Sequence, residues 1–376
     1  MHAPLIVGGG PAGSAAAIRL AMAGLQPTLL ERSREPEDKV CGDFLSGGSL
    51  AALRSLGLDP AMLGGHPIRR VRLLQGERTA EAALPFAALG VSRRHLDAVL
   101  LEAAAQRGTL VRRGERLRGL SADGRVARLT SGESLAPRTL FLATGKHDVA
   151  GALRPDRAGG AVGLKAYVRL APVQRAALAG SVEVVLLRGA YAGLQLVEND
   201  RAVVCVMQDR SAAPHRRSPA DEAGPLASRD VAALLADLAA RAPALARRLE
   251  GAVPERLRPF AIAGIPYGHL HRTDPADPTG LFRLGDQACV IPSLAGEGIA
   301  LALGSGRLAA ETWIGGGDAA RYHHCFSRAV APPLRRAVGL HRLCLGPAQA
   351  WVVSLAGWIP GLLPLAAAWT RATRLG

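Results

Sequence analysis

Gly8-Gly9-Gly10-Pro11-Ala12-Gly13 puts three glycines at the spacing of a phosphate-cradling turn. Gly8 permits the tight turn, Gly10 lets the backbone approach a pyrophosphate, and Gly13 lets the following helix pack close to its strand. The first turn of that helix, opening at Pro11 and Ala12, offers unpaired N–H groups and a partial positive charge to phosphates. Glu31, eighteen residues beyond Gly13, would accept hydrogen bonds from ribose hydroxyls, with Arg32 beside it. Among 44 glycines such spacing alone is weak, so its context must carry it. A second group is Tyr267, His269 and His271, just upstream of another Gly-rich segment. Histidines at i and i+2 share one face of a strand, where they could hold a phenol or shuttle its proton, or simply form a surface face. His323-His324 beside Cys325 lacks an acidic partner and ligand spacing, and reads as a solvated helix position.

The elements that must position these groups are legible. Leu5-Ile6-Val7 is an apolar run of strand length, Ser14 to Ala23 is Ala-rich and helical, and Pro27 to Leu30 is a second strand ending at Glu31. The glycines therefore sit at the strand-to-helix turn of a β-α-β unit, which makes the motif specific. Arg32 to Gly48 reads as a long loop. Residues 66–92 alternate as strands do, Arg93 to Gln106 is helical, and 110–142 holds short strands closing at Ala143-Thr144-Gly145. Residues 161–210 are strand-like, 219–249 predict two helices, and 281–284 is a strand leading into Gly285-Asp286.

Residues 281–310, LFRLGDQACVIPSLAGEGIALALGSGRLAA, resemble the flavin-binding segment of the para-hydroxybenzoate hydroxylase-like flavoprotein superfamily. The resemblance implies FAD as cofactor, with Gly285 and Asp286 at the ribityl chain and Pro292, Gly296 and Gly298 lining the isoalloxazine ring. Arg93 in VSRRHLD resembles the family's helix-opening arginine at the phosphate or ribityl region, and Ala143, Thr144 and Gly145 its strand returning over the adenine end. Lys39 and Cys41 in KVCGD match a basic residue and Cys-Gly turn beside the flavin, most marked in geranylgeranyl reductase-like members. The implied fold is α/β: a Rossmann-like FAD-binding domain, a β-sheet substrate domain and C-terminal helices. The expected boundaries are 1–75, 93–160 and 276–325 for the FAD-binding domain, 76–92 and 161–275 for the substrate domain, and 326–376 for apolar helices.

Which flavin chemistry follows is a narrower question. No second GxGxxG is present, so NAD(P)H is expected only as a transient electron donor. Elimination places a monooxygenase acting on a lipophilic small molecule first. A C=C reductase of the geranylgeranyl reductase type is the alternative, with a flavin halogenase or a non-enzymatic binder behind it. Tyr267, His269 and His271 are the candidate catalytic groups, and no metal is expected.

Charge and cysteine use bound the partners. The chain of 376 residues carries a net charge of +15, with 43 arginines and only Lys39, Lys146 and Lys165 as lysines. The arginines are dispersed and no aromatic-interleaved basic patch appears, so nucleic acid is not an expected partner. Five cysteines without a CxxC exclude a disulfide framework and suit a reducing cytoplasm. No basic leader with a cleavage site precedes the first apolar run, so no signal peptide is expected. Residues 343–370 hold no charge, but Pro347, Pro360 and Pro364 break them into segments of about ten residues. They suggest peripheral membrane contact, a greasy lid or core packing.

Overall fold

The computed structural model describes residues 3–121, 123–154, 160–209, 230–274 and 277–372. Leu5–Val7 is buried throughout and lies at the centre of a five-stranded parallel sheet. The order is Leu281–Arg283, Leu140–Leu142, Leu5–Val7, Thr28–Glu31, Leu110–Arg113. Its inner strands are continuous apolar runs because both faces are covered: Ile6, Leu29 and Phe141 pack on helices, while Val7, Leu30 and Leu142 pack on a small antiparallel sheet through Leu117, Leu120 and Leu129. The helix Pro11–Met22 reaches this sheet closely because Ala15, Ala16 and Ala17 are fully buried and small. Its other flank packs on the helix Gly298–Ile314, where a Cβ on Gly306 would stand 2.0 Å from the Ala12 carbonyl oxygen.

A nine-stranded, mostly antiparallel sheet forms the second layer. Ala161–Arg169, Ala202–Gln208, Ala190–Leu196 and Ser181–Leu187 make its middle. One face packs on the helices Val231–Arg241 and Pro243–Leu249 through Val204, Leu234, Leu238 and Leu245. Leu73, Ala80, Tyr191 and Met207 form another core with Cys344, Leu345 and Val353 of the C-terminal helices. Those helices are Ala319–Leu345, Gln349–Trp358 and Leu362–Trp369.

The α/β class holds, but one boundary moves. His66–Gln75, expected in the FAD-binding domain, pairs with Arg78–Gly90 and with Ser181–Leu187 in the larger sheet. The whole hairpin from residue 66 therefore belongs to the larger sheet, because it cannot be divided between two sheets without breaking its ladder. Phe44–Leu45 also joins that sheet. Of the two helices predicted over 219–249, the part before residue 230 lies outside the described residues.

Candidate functional site

A cavity of about 780 Å³ opens where the two layers meet. From the nucleotide sheet it is lined by Gly8, Gly10, Pro11 and Ala12, by Glu31 and Arg32, and by Ala143, Thr144 and Gly145. Lys39, Cys41 and Arg93 line it, as do Gly285, Asp286, Gly296 and Gly298. Phe260, Ile262 and Tyr267 come from the second sheet and the segment after it. Gly13 and Pro292 are not among the lining residues.

Gly8 and Gly13 make the tight turn and the close helix packing that their spacing implied. Gly8 has φ +108°, and a Cβ there would lie 2.3 Å from the Ala143 carbonyl oxygen. A Cβ on Gly13 would lie 1.9 Å from the Gly8 carbonyl oxygen, so strand, turn and helix interlock only without side chains. Gly42 and Gly298 have no atom within 4 Å of a built Cβ, which would extend into the cavity instead. The side-chain-free backbone at Gly10, beside the N-terminus of the helix Pro11–Met22, fits a dinucleotide pyrophosphate. Glu31 accepts the N–H of Gly9 at 2.7 Å and of Ser33 at 2.9 Å, which fixes its carboxylate at the strand end with lone pairs to spare.

Around the cavity the cations are tethered. Arg93 grips Asp97 with two parallel bonds of 2.9 and 2.8 Å, and Lys39 Nζ reaches the same carboxylate at 3.0 Å. Against the cost of burial, Asp97 holds the Arg93 guanidinium above its ordinary range. Burial also opposes charge on Asp97, yet Arg93 and Lys39 hold it below the usual carboxylate range.

The loop from Lys39 to Asp43 is held from beneath by groups the sequence reading did not assign. Fully buried Lys165 lies 2.7 Å from Asp43 Oδ2 and donates to the Lys39 carbonyl at 3.0 Å. Tyr167 donates to Asp43 Oδ2 at 2.6 Å, and Gln195 donates to the Asp43 carbonyl at 2.8 Å. Lys146 Nζ donates to the Val40 carbonyl at 3.1 Å. Burial pushes the Asp43 carboxyl above its ordinary range, and Lys165 only partly offsets it. Asp43 itself sits at φ +58°, a left-handed position that aspartate tolerates. A signal was available: in a chain with 43 arginines, all three lysines serve this one loop.

The candidate catalytic trio divides. Tyr267 lines the cavity, its hydroxyl 2.6 Å from Ser293 Oγ, and burial raises its pKa above the ordinary value. Tyr191 and His341 flank it, the rings of Tyr267 and His341 5.3 Å apart. The expected strand through His269 and His271 is not formed beyond an isolated Leu270–Cys289 bridge. Gly268, at φ +89°, and Pro266 turn the chain there, so neither histidine lines the cavity. His269 Nε2 lies 3.4 Å from the Gln287 carbonyl oxygen, and His271 Nε2 is 3.2 Å from Asp277. The solvated position expected for His323 is also corrected: its side chain is buried against His271, ring centroids 4.5 Å apart. Tyr322 and Phe326 bring that helix face into the core, whereas His324 stays exposed. No cluster of metal-ligating side chains occurs among the described residues.

Comparison with known proteins agrees with this geometry. A family model described as an FAD binding domain matches residues 2–139. A menaquinone reductase of Mycolicibacterium smegmatis is 28% identical over 334 residues, covering 83% of this chain and 76% of its own. A geranylgeranyl bacteriochlorophyll reductase-like protein from Thermoplasma acidophilum superimposes with TM-score 0.73 at 18% identity, over 99% of this chain and 98% of that one. A flavin-dependent brominase gives TM-score 0.70 at 18% identity, over 100% and 97%.

Proposed function

We propose that the chain is an FAD-dependent oxidoreductase of the para-hydroxybenzoate hydroxylase-like superfamily, a reading supported by the match of residues 2–139 to a family model described as an FAD binding domain. We propose that it reduces a carbon–carbon double bond in a lipophilic isoprenoid compound, with an isoprenoid quinone as the substrate class. The carrying observation is the Cys41-Gly42 turn on the cavity wall, locked by the buried Lys165–Asp43 pair. That turn resembles the geranylgeranyl reductase-like members, and the relative aligned over four-fifths of this chain is also named a reductase.

When bound, FAD would supply a carrier that accepts and returns a hydride. The chain's own groups prepare its site. Gly10 and the helix behind it would receive the pyrophosphate, Arg93 and Lys39 would add positive charge nearby, and Asp286 would meet the ribityl hydroxyls. Phe260, Ile262, Val290 and Ile291 form an apolar wall that excludes water. Tyr267 remains protonated at neutral pH, and its O–H, steadied by Ser293, is placed to donate to a substrate carbonyl or to deliver a proton. A phenol hydroxylase needs a base there instead. Tyr267 is a poor one, and His269 and His271 lie outside the cavity. NAD(P)H is proposed as the transient donor.

The test is anaerobic incubation of reduced, FAD-loaded protein with menaquinone, followed by air oxidation of the ring and mass spectrometry. The expected product keeps one added pair of hydrogens in its side chain. A product that forms only with O2 and carries an added oxygen would overturn the reductase reading in favour of hydroxylation.

A further inference from the structure

The helices Gln349–Trp358 and Leu362–Trp369 have two unlike sides. Val353 is fully buried, and it packs with Val352, Ala356 and Leu363 into the core shared with Leu73 and Ala80 of the larger sheet. Trp351, Leu355 and Trp358 recur at i, i+4 and i+7 on the outward side, continued by Ile359, Leu365 and Trp369. The three tryptophans are 72%, 82% and 54% exposed, and they are three of the four in the chain. The core is complete without them, so folding does not account for this apolar face.

Charge indicates what covers it. From Ala319 to Gly376 there is no acidic residue and there are seven arginines. Arg335 and Arg342 are exposed on the adjoining helix Ala319–Leu345. Arg336 sits over the Trp369 ring at 5.3 Å and donates to the Trp369 carbonyl at 3.2 Å. The carboxylates of the hairpin beneath, Glu77 and Glu81, are paired with Arg247, Arg70 and Arg72. The outward face is therefore apolar and aromatic, with a cationic border. A second copy would set two such borders against each other, and like charges would repel.

Neither helix is long and apolar enough to cross a membrane by itself. The two helices have 10 and 8 residues and meet at a 115° bend. At about 1.5 Å per residue, each covers no more than half of a hydrocarbon core about 30 Å thick. Short helices with outward tryptophans and bordering arginines suit the plane of the lipid–water interface, where indole rings settle and guanidinium groups meet phosphates.

We propose that the protein docks on the surface of an anionic phospholipid bilayer through the outward face of these two helices, with Trp351 and Trp358 as anchors. The docking is independent of which bond the flavin site reduces.

The full-length, flavin-loaded protein is sedimented with vesicles of phosphatidylcholine alone or mixed with phosphatidylglycerol. Binding to the mixed vesicles is expected, with a blue shift of tryptophan emission and a loss of bound protein as salt rises. Trp351→Ser/Trp358→Ser should weaken partitioning about tenfold or more while flavin content and circular dichroism stay unchanged. Arg335→Gln/Arg342→Gln should reduce the preference for phosphatidylglycerol. The proposal is overturned if the parent protein ignores mixed vesicles or the tryptophan variant binds them equally well. It is also overturned if sedimentation velocity finds a parent dimer that the tryptophan variant abolishes, since a second copy would then cover the face.

Discussion

Lys165 illustrates how one buried charge can govern a loop at a cavity. Lys165 and Asp43 are both fully buried, so removing one partner leaves the other without compensation. Lys165→Met should destabilise the protein by about 3–5 kcal/mol, read from denaturant unfolding. Adding Asp43→Asn should restore part of that loss, because it removes the stranded carboxylate; no recovery would show that the lysine acts mainly through the Lys39 carbonyl. Tyr167→Phe removes one bond to the same carboxylate and should cost about 1 kcal/mol. The KVCGD stretch was recognisable by its residue types. Its restraints were not, since Lys165 and Gln195 are 122 and 152 residues distant from Asp43 in sequence.

At the scale of elements, two glycines of similar appearance separate packing from binding. Gly306 lies at the crossing of the helices Pro11–Met22 and Gly298–Ile314, and any side chain there meets backbone. Gly306→Val should therefore cost about 1–3 kcal/mol and displace the phosphate-binding helix, lowering stability and flavin affinity together. Gly298 has open space at its Cβ position and lines the cavity. Gly298→Val should leave thermal unfolding of the flavin-free protein nearly unchanged and weaken flavin binding, measured by fluorescence titration. Equal losses in both variants would refute the distinction. The β-α-β unit was legible because its strands, turn and helix lie within 31 residues and each follows from local propensity. The nine-stranded sheet was less so. Its parallel pairing of His66–Gln75 with Ser181–Leu187 joins segments far apart in the chain, which no local pattern specifies.

For the whole molecule, buried histidines set a limit on the acid side. Burial lowers His271 to about 4 and His323 to about 3, from an ordinary 6.5. The unfolded chain takes up these protons near pH 6.5, whereas the native state resists them until near pH 4 and below. Stability from these two groups is complete above pH 6.5 and is lost progressively as pH falls toward 4 and then 3. Unfolding midpoints measured across that range should fall, and His323→Asn should flatten the slope. An unchanged slope would assign the acid sensitivity to other groups.

What the amino-acid sequence determined by itself was the turn and the Gly-rich segment that line the cavity: glycine spacing, strand-to-helix order and the GDQACVIPSLAGEG segment depend on residue types within short stretches. Tertiary structure alone decided which polar groups face that site. It turned His269 and His271 away, buried His323, brought Tyr267 to the wall and placed Lys165 beneath the loop. The difference is physical. A turn or helix forms from neighbouring dihedral preferences, but burial and hydrogen-bond partners arise only when distant segments close around a shared core.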